Sequence, residues 1–219
     1  MVNIKILNKE NEDDIKQFTE ILDEFALFHH DDINSLYFYE DMCYCVDWLK
    51  TEFKNRKPMD FIAVGLFNQG ELIRILVGYK IEVAWRKPVV EDTVPYYVVG
   101  LMYFRDREWA IPAERIDDLD EVVTSHFENQ GYTKGFMVIK APKFIINNSS
   151  ATAIDEYMNK VFVKTFYGNK HLYKVEHVFR TPADAESYKF RAFRVFLPLR
   201  VKRPLCLISF ELKSEYRQL

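Results

Sequence analysis

The sequence contains little cysteine, little glycine and no long apolar run. Among its 219 residues are 3 Cys, 7 Gly and 8 Pro. Cys43, Cys45 and Cys206 lack both a C-x-x-C spacing and a neighbouring histidine pair, which argues against a disulfide framework or a zinc site and for a reducing compartment. No stretch of about 18 apolar residues occurs, so no transmembrane helix is predicted.

The sequence also lacks an excess of either charge. Its 30 Lys and Arg against 33 Asp and Glu give a formal net charge of -3, which provides no general attraction to nucleic acid or anionic membranes. The first residues lack the basic and apolar segments of a secretory leader. We therefore expect a cytoplasmic protein without a membrane partner. The bias toward Asn, Lys, Ile, Phe and Tyr suits an AT-rich genome such as that of a phage, and a viral source would place the protein in the host cytoplasm or the virion.

Apolar side chains are abundant enough to build one large core. Hydrophobic residues make up 48% of the chain and aromatic residues 16%, and the length suits one domain better than two. No internal repeat, low-complexity tract or long linker interrupts the pattern. The sequence predicts a single domain over residues 1–219, in which residues 198–219 form a C-terminal extension with an extra strand.

Strand and helix patterns alternate along the chain. Apolar residues recur at helical spacing in four segments, and β-branched and aromatic runs separate them. Asn11 is suited to cap the first helix, Gln69-Gly70 to form a hairpin turn and Gly131 to end the third helix. The predicted strands lie near residues 3–7, 61–67, 72–85, 96–104, 136–140, 173–179 and 190–197, and the predicted helices near 15–25, 42–53, 119–127 and 154–162.

This order, βααβββαβαββ, resembles the fold of the GNAT N-acetyltransferases over roughly residues 1–197. Residues 111–120 are similar to that family's pyrophosphate loop, P-x-x-R followed by x-x-G-x-G/A. The proline of the pattern and Arg115 are present, whereas Asp118 and Asp120 stand at its two glycine positions. The resemblance implies an α/β (α+β) fold with a mixed, mostly antiparallel central sheet flanked by about four helices, in which the fourth and fifth strands are parallel.

The resemblance also implies a cofactor, acetyl-CoA, whose pyrophosphate would lie at the positions of Arg115, Asp118 and Asp120. In the family, backbone N–H groups at a helix N-terminus hold that pyrophosphate. Each aspartate would be repelled by about 3–4 kcal/mol at a separation of about 4–6 Å and an effective dielectric constant near 20. The sequence therefore predicts a loop that binds no pyrophosphate, and no cofactor. The acidic residues have a second interpretation, since acidic side chains in the first turn of a helix complement its dipole.

The sequence offers a candidate for a general acid but does not identify a general base. Tyr157 is similar to the family's general acid, which protonates the departing CoA thiolate, but it also fits the apolar face of a helix as a core residue. A general base should be a carboxylate or a histidine. Glu82, Glu108 and His126 are available, and none of them stands out. No metal site is predicted.

The segment from Lys189 to Arg203 contains several basic residues and no acidic one. Its aromatic side chains interleave with arginines, which suits either stacking on single-stranded nucleic acid or a strand with its apolar side chains inward. The apolar run at 205–210 that follows could pair with a partner's sheet edge or complete the chain's own sheet. The predicted interface with a protein partner or a second copy consists of Phe190, Arg191, Phe193, Arg194, Leu205 and Leu207.

Three functions remain open at this point. The first is a non-catalytic GNAT-like protein that acts through protein contacts, as a structural or accessory component of a larger assembly such as a phage particle. Its support is the altered loop, the absence of an identifiable base and the aromatic-rich C-terminal extension. The alternative is an acetyl-CoA-dependent N-acetyltransferase with a divergent cofactor loop, which transfers acetyl to an amine. The third is nucleic-acid binding by the basic C-terminal segment.

Overall fold

The computed structural model describes residues 2–31, 39–81, 96–104, 114–140, 170–179 and 205–216. The predicted helix near 154–162 and the predicted strand near 190–197 fall outside these ranges. The described strands are β1 (Val2–Ile6), β2 (Phe61–Asn68), β3 (Glu71–Ile81), β4 (Tyr96–Phe104), β5 (Lys134–Lys140), β6 (His171–Phe179) and β7 (Leu205–Leu212), and the described helices are α1 (Glu12–Asp31), α2 (Tyr39–Asn55), α3 (Glu114–Glu128) and a short 3-10 helix (Ser214–Tyr216).

The seven strands form one mixed sheet in the order β1-β2-β3-β4-β5-β7-β6. Every neighbouring pair is antiparallel except β4 and β5, which are parallel. This confirms the predicted α+β fold with a mostly antiparallel central sheet, and also the predicted parallel pair. A single domain over the whole chain stays a prediction.

Three local signals in the sequence act as expected. The Asn11 side-chain oxygen accepts hydrogen bonds from the backbone N–H groups two and three residues further on, at 2.9 and 3.1 Å, and so caps α1. Gln69 and Gly70 adopt positive φ angles of 51° and 88° in the tight turn between β2 and β3. Gly131 has a φ of 86° just beyond the end of α3, where a left-handed residue ends a helix.

The helices cover both faces of the sheet. Phe53 of α2 packs against Phe61 of β2, with ring centroids 6.2 Å apart. The next strand residue, Ile62, belongs instead to a core cluster with Val123 and Phe127 of α3. Because successive strand residues point to opposite faces, α2 and α3 lie on opposite sides, and α1 packs beside α2. None of the described helices is long and apolar enough to cross a membrane.

α3 approaches the sheet closely at a glycine of β3. A Cβ atom on Gly78 would lie 2.5 Å from Val123 Cγ1 and 2.8 Å from Phe127 Cε2. Both of those side chains are fully buried, so neither has room to move aside. The missing side chain at this position therefore sets how near α3 lies to the sheet.

β7 occupies an interior position rather than extending a finished sheet. It pairs with β5 on one side and with β6 on the other. Leu207 is 0% exposed, so the prediction that it contributes to an interface with a partner is wrong. It lies in the chain's own sheet, which is the second of the two possibilities that the sequence left open. Leu205 begins the same strand.

Removing residues 205–219 should prevent folding. The deletion takes away β7, with the buried side chains Cys206, Leu207, Ile208, Phe210 and Leu212. At roughly 1.5–3 kcal/mol for each buried apolar side chain, the loss is on the order of 10 kcal/mol, which is comparable to the whole stability of a domain. Circular dichroism and NMR spectra of the truncated chain should show an unfolded protein. The control ends the chain at residue 212 and retains β7, and a folded chain without residues 205–219 would contradict the interior position of the strand.

Replacing Gly78 with alanine should destabilise the fold by about 1–3 kcal/mol, because the new methyl group overpacks the interface with α3. Urea denaturation measures this loss. The partner variant Val123→Ala removes the nearest methyl groups, so the effects of Gly78→Ala and Val123→Ala should fall short of additivity in a double-mutant cycle. Equal stability of Gly78→Ala and the unchanged protein would show that the close approach does not exist.

Candidate functional site

β4 and β5 are paired over a short stretch only. Tyr97 pairs with Gly135 and Val98 with Phe136, although both strands continue for several residues beyond these pairs. The two strands therefore separate toward their C-terminal ends. The backbone groups of β4 that face the gap have no partner on β5, and the sheet is open at its centre.

We call the gap between residues 99–104 of β4 and residues 137–140 of β5 the wedge. A β-bulge lies where the wedge begins, since Gly100 and Leu101 together oppose the single residue Val77 of β3. Bulges are over-represented beside active sites, where they turn a strand aside. A glycine inside a β-branched and aromatic run is a sequence signal for a bulge, and the elements predicted from the sequence do not include it.

α3 places its N-terminus toward the open end of the wedge. Phe127, near the end of α3, stacks on Tyr97 at the start of β4, with ring centroids 4.8 Å apart. The helix therefore runs antiparallel to β4, and its first residue, Glu114, lies toward the C-terminal end of that strand. The first turn of a helix carries free N–H groups and the positive end of the helix dipole. Among the described residues, the open end of the wedge therefore combines a strand edge that β5 leaves unpaired with a helix N-terminus.

The closed end of the wedge holds a buried polar group of three side chains, Tyr97, Glu128 and His171. Glu128 Oε1 lies 2.6 Å from His171 Nε2 and 3.5 Å from the Tyr97 hydroxyl oxygen. The side chains of His171 and Glu128 are 4% and 15% exposed. Burial, followed by the carboxylate of Glu128, raises the pKa of Tyr97 well above its usual value, so the Tyr97 hydroxyl keeps its proton and donates it.

Glu128 ends a row of polar residues on one side of α3. Asp120, Thr124 and Glu128 follow one another at intervals of four, which places them on the same side of the helix. Asp120 and Thr124 are buried, and the Thr124 hydroxyl donates to the Asp120 carbonyl at 2.9 Å. The row is visible in the sequence, but its partner His171 is 43 residues away from Glu128 along the chain. Sequence reasoning therefore missed the contact.

The placement of Asp118 and Asp120 in a loop is wrong. α3 begins at Glu114, so Arg115, Asp118 and Asp120 are all helical residues. Asp118 is exposed, whereas Asp120 is 1% exposed. Asp120 lies near Tyr173 of β6, and burial, followed by the charge of Asp120, raises the pKa of that tyrosine well above its usual value. Both aspartates lie beyond the first turn of α3, which begins at Glu114, so the second interpretation, in which they complement the helix dipole, stays a prediction.

Several predicted site residues lie outside the described part of the chain. They are Tyr157, the candidate bases Glu82 and Glu108, and the interface residues Phe190, Arg191, Phe193 and Arg194. Their roles stay predictions, as does the basic segment proposed to bind nucleic acid.

His126 lies at the closed end of the wedge, one residue before the Phe127 ring that stacks on Tyr97. Burial lowers its pKa, and the positive charge of Lys80 lowers it further, while backbone hydrogen bonds to Pro58 and Met59 act in the opposite direction. The ring therefore packs α3 against the chain segment that leads into β2. This position argues against His126 as a base for a reaction at the open end.

No group of three His, Cys, Asp or Glu side chains in the described ranges is placed to hold a metal ion. A cofactor in the wedge would instead meet backbone groups and the N-terminus of α3. These suit a ligand with both amide groups and phosphates.

No protein-family model matches the sequence, and no curated protein matches it. Solved structures do match the fold. The aminoglycoside 6'-N-acetyltransferase from Enterococcus faecium is 9% identical and has a TM-score of 0.51, over 94% of this chain and 95% of that chain. This chain has the GNAT fold.

Two further solved structures are similar to this GNAT-fold chain at lower TM-scores. A GNAT-family acetyltransferase from Streptococcus pneumoniae is 10% identical over 97% of this chain and 100% of that chain, with a TM-score of 0.48. The PaiA N-acetyltransferase from Thermoplasma acidophilum, in complex with coenzyme A, is 12% identical over 97% and 99%, with a TM-score of 0.49. At these identities the likeness concerns the fold alone.

The protein should lose stability below pH 6.5, and His126 should cause part of that loss. Because folding lowers the pKa of His126, the unfolded chain binds its proton more readily, so the stabilising contribution is present above pH 6.5 and disappears as the pH falls. Urea denaturation at pH 7.5 and pH 5.5 measures the free energy of unfolding at each pH. The difference between the two values should be smaller for His126→Gln than for the unchanged protein. Identical pH dependence in the two proteins would contradict this assignment.

Proposed function

We propose that the protein is an acetyl-CoA-dependent N-acetyltransferase that transfers an acetyl group to an amine. The wedge between β4 and β5 is the observation that carries the proposal. A continuous sheet would have no reason to interrupt a parallel pair after two residue pairs and to place a bulge at that point, since unpaired backbone groups are unfavourable unless a ligand or water pairs with them.

The chemistry of the wedge suits coenzyme A. Its pantetheine arm is extended and contains amide groups, which can pair with the backbone of residues 99–104 as an added strand would. Its pyrophosphate is an anion, for which the N-terminus of α3 supplies free N–H groups and a positive potential. The two parts of the ligand therefore match the two features at the open end.

Asp118 and Asp120 oppose the binding of acetyl-CoA less than the sequence indicated. Asp120 is buried near Tyr173, in the second turn of α3. Asp118 is exposed on α3, where water and salt screen its charge. One exposed aspartate reduces the affinity for an anion without abolishing it.

When bound, acetyl-CoA supplies the activated acetyl group as a thioester. The acceptor amine would attack its carbonyl carbon, the carbon–sulfur bond would break as the carbon–nitrogen bond forms, and the proton lost by the nitrogen would balance the one taken up by the departing sulfur. The backbone of β4 orients the acetyl group, and Tyr157 is the proposed donor of a proton to the departing sulfur. The acceptor must bind with its nitrogen uncharged or give up a proton before it attacks.

The non-catalytic function has less support than the sequence gave it. Two of its three supports were the aspartates in the cofactor loop and the C-terminal extension, and the third was the absence of an identifiable base. The structure places the aspartates in α3 and the apolar run of the extension in the interior strand β7. Contacts with a protein partner or with nucleic acid through Phe190, Arg191, Phe193 and Arg194 remain proposals without a described residue to support them.

Isothermal titration of the full chain with acetyl-CoA tests the proposed function. We expect saturable binding, and we expect Asp118→Asn to tighten it by about two- to fivefold, because the screened repulsion between an exposed charge and a nearby anion is worth about 0.4–1 kcal/mol. The matched control is Asp47→Asn, which removes an exposed aspartate from α2 on the opposite face of the sheet and should leave the affinity unchanged.

Thiol release from acetyl-CoA in the presence of small amines then reports the reaction itself. If the unchanged protein and Asp118→Asn both fail to bind acetyl-CoA at millimolar concentration, the chain is not an acetyltransferase of this type. If neither Asp118→Asn nor Asp47→Asn changes the affinity for acetyl-CoA, the pyrophosphate binds away from α3.

A further inference from the structure

The wedge divides the sheet into two parts that share a short seam. The first part contains β1 to β4, and the second contains β5, β7 and β6. Within the described strands, backbone pairing joins the two parts only through the two residue pairs between β4 and β5. A seam of this length leaves the angle between the two parts, and hence the width of the wedge, dependent on other contacts.

α3 spans both parts. Its apolar side chains Val123 and Phe127 pack on the first part, at Gly78 and Tyr97. Its polar side reaches the second part, where Glu128 Oε1 meets His171 Nε2 of β6 at 2.6 Å. The helix thus holds one part through packing and the other through a buried side-chain contact.

We propose that Glu128 is a positioning residue that holds His171 and thereby fixes the width of the wedge. The contact lies beside the seam, because the ring of Phe210 meets both Tyr97 and His171 edge-on at centroid distances of 5.5 Å. A small change in the angle between the two parts of the sheet at the seam produces a larger change in the distance between β4 and β5 at the open end. The effect on ligand binding rests on the proposed function, whereas the effect on the width of the wedge does not.

A neighbouring ion pair provides a natural comparison. Lys170 Nζ lies 2.9 Å from Glu121 Oε1, and this contact also joins α3 to the start of β6. Its side chains are 48% and 63% exposed, so solvent screens the pair and little ordering results. The contact between Glu128 and His171 is largely buried, with side chains 15% and 4% exposed, and polar interactions are stronger where water is mostly absent. Substitutions of Glu128 and of Glu121, both on α3, therefore allow the loss of a largely buried contact to be compared with the loss of an exposed one.

The width of the wedge can be measured with two nitroxide labels, at Asp47 on α2 and Lys174 on β6, both of which are exposed. A Cys43→Ser background leaves Cys45 and Cys206, which are buried. We expect Glu128→Ala to broaden the pulsed-EPR distance distribution and to weaken acetyl-CoA binding about tenfold. Glu128→Gln retains a hydrogen-bond acceptor and should keep a narrow distribution. Glu121→Ala, the matched control, should behave as the unchanged protein.

The outcomes separate this inference from the proposed function. If Glu128→Ala lowers the unfolding free energy but leaves the distance distribution unchanged, Glu128 is a stabilising residue only and the inference is wrong. If Glu128→Ala does not fold, His171→Phe breaks the same contact while filling the space, and an unchanged distribution in that variant overturns the inference. A distribution that broadens in a protein without affinity for acetyl-CoA would support the positioning role and reject the acetyltransferase.

Discussion

The parallel seam between β4 and β5 is the constraint on which the rest of the structure depends. It joins an antiparallel unit of four strands to an antiparallel unit of three, and parallel neighbours require a crossover connection, here the one that contains α3. The seam is tightly packed. A Cβ atom on Gly135 would lie 2.3 Å from the Phe210 ring and 2.9 Å from the Tyr97 ring. A glycine at this position therefore allows two aromatic side chains to close over the join.

Much of the fold follows from local patterns in the sequence. The cap at Asn11, the turn at Gln69-Gly70 and the end of α3 at Gly131 each depend on neighbours within a few residues, so composition and spacing are enough to predict them. The apolar row of α3 was equally clear, because a helix that packs on a sheet repeats its buried side chains at fixed intervals. The order of these elements then limits the topologies to a few.

The candidate site was predicted less well, because its geometry depends on contacts between distant parts of the chain. A charge pattern predicts neither burial nor direction: Asp118 and Asp120 look alike in the sequence, yet one is exposed and the other is buried near Tyr173. Likewise, nothing near His171 in the sequence identifies Glu128 as its partner. The apolar run of β7 was recognised as a strand, but its position between two other strands follows only from the assembled sheet.

The interior position of β7 has a consequence for synthesis of the chain. Ribosomes make β5 and β6 before β7, although β7 separates them in the sheet. Until residues 205–212 emerge, two strands have edges that lack their eventual partner, and exposed edges of this kind pair readily with other chains. The first four strands can assemble early, because all the pairings among them are available once residue 104 has been made. The second part cannot assemble until β7, its central strand, has been made. Newly made chains are therefore protected from aggregation during this period either by chaperones or by rapid completion of the sheet.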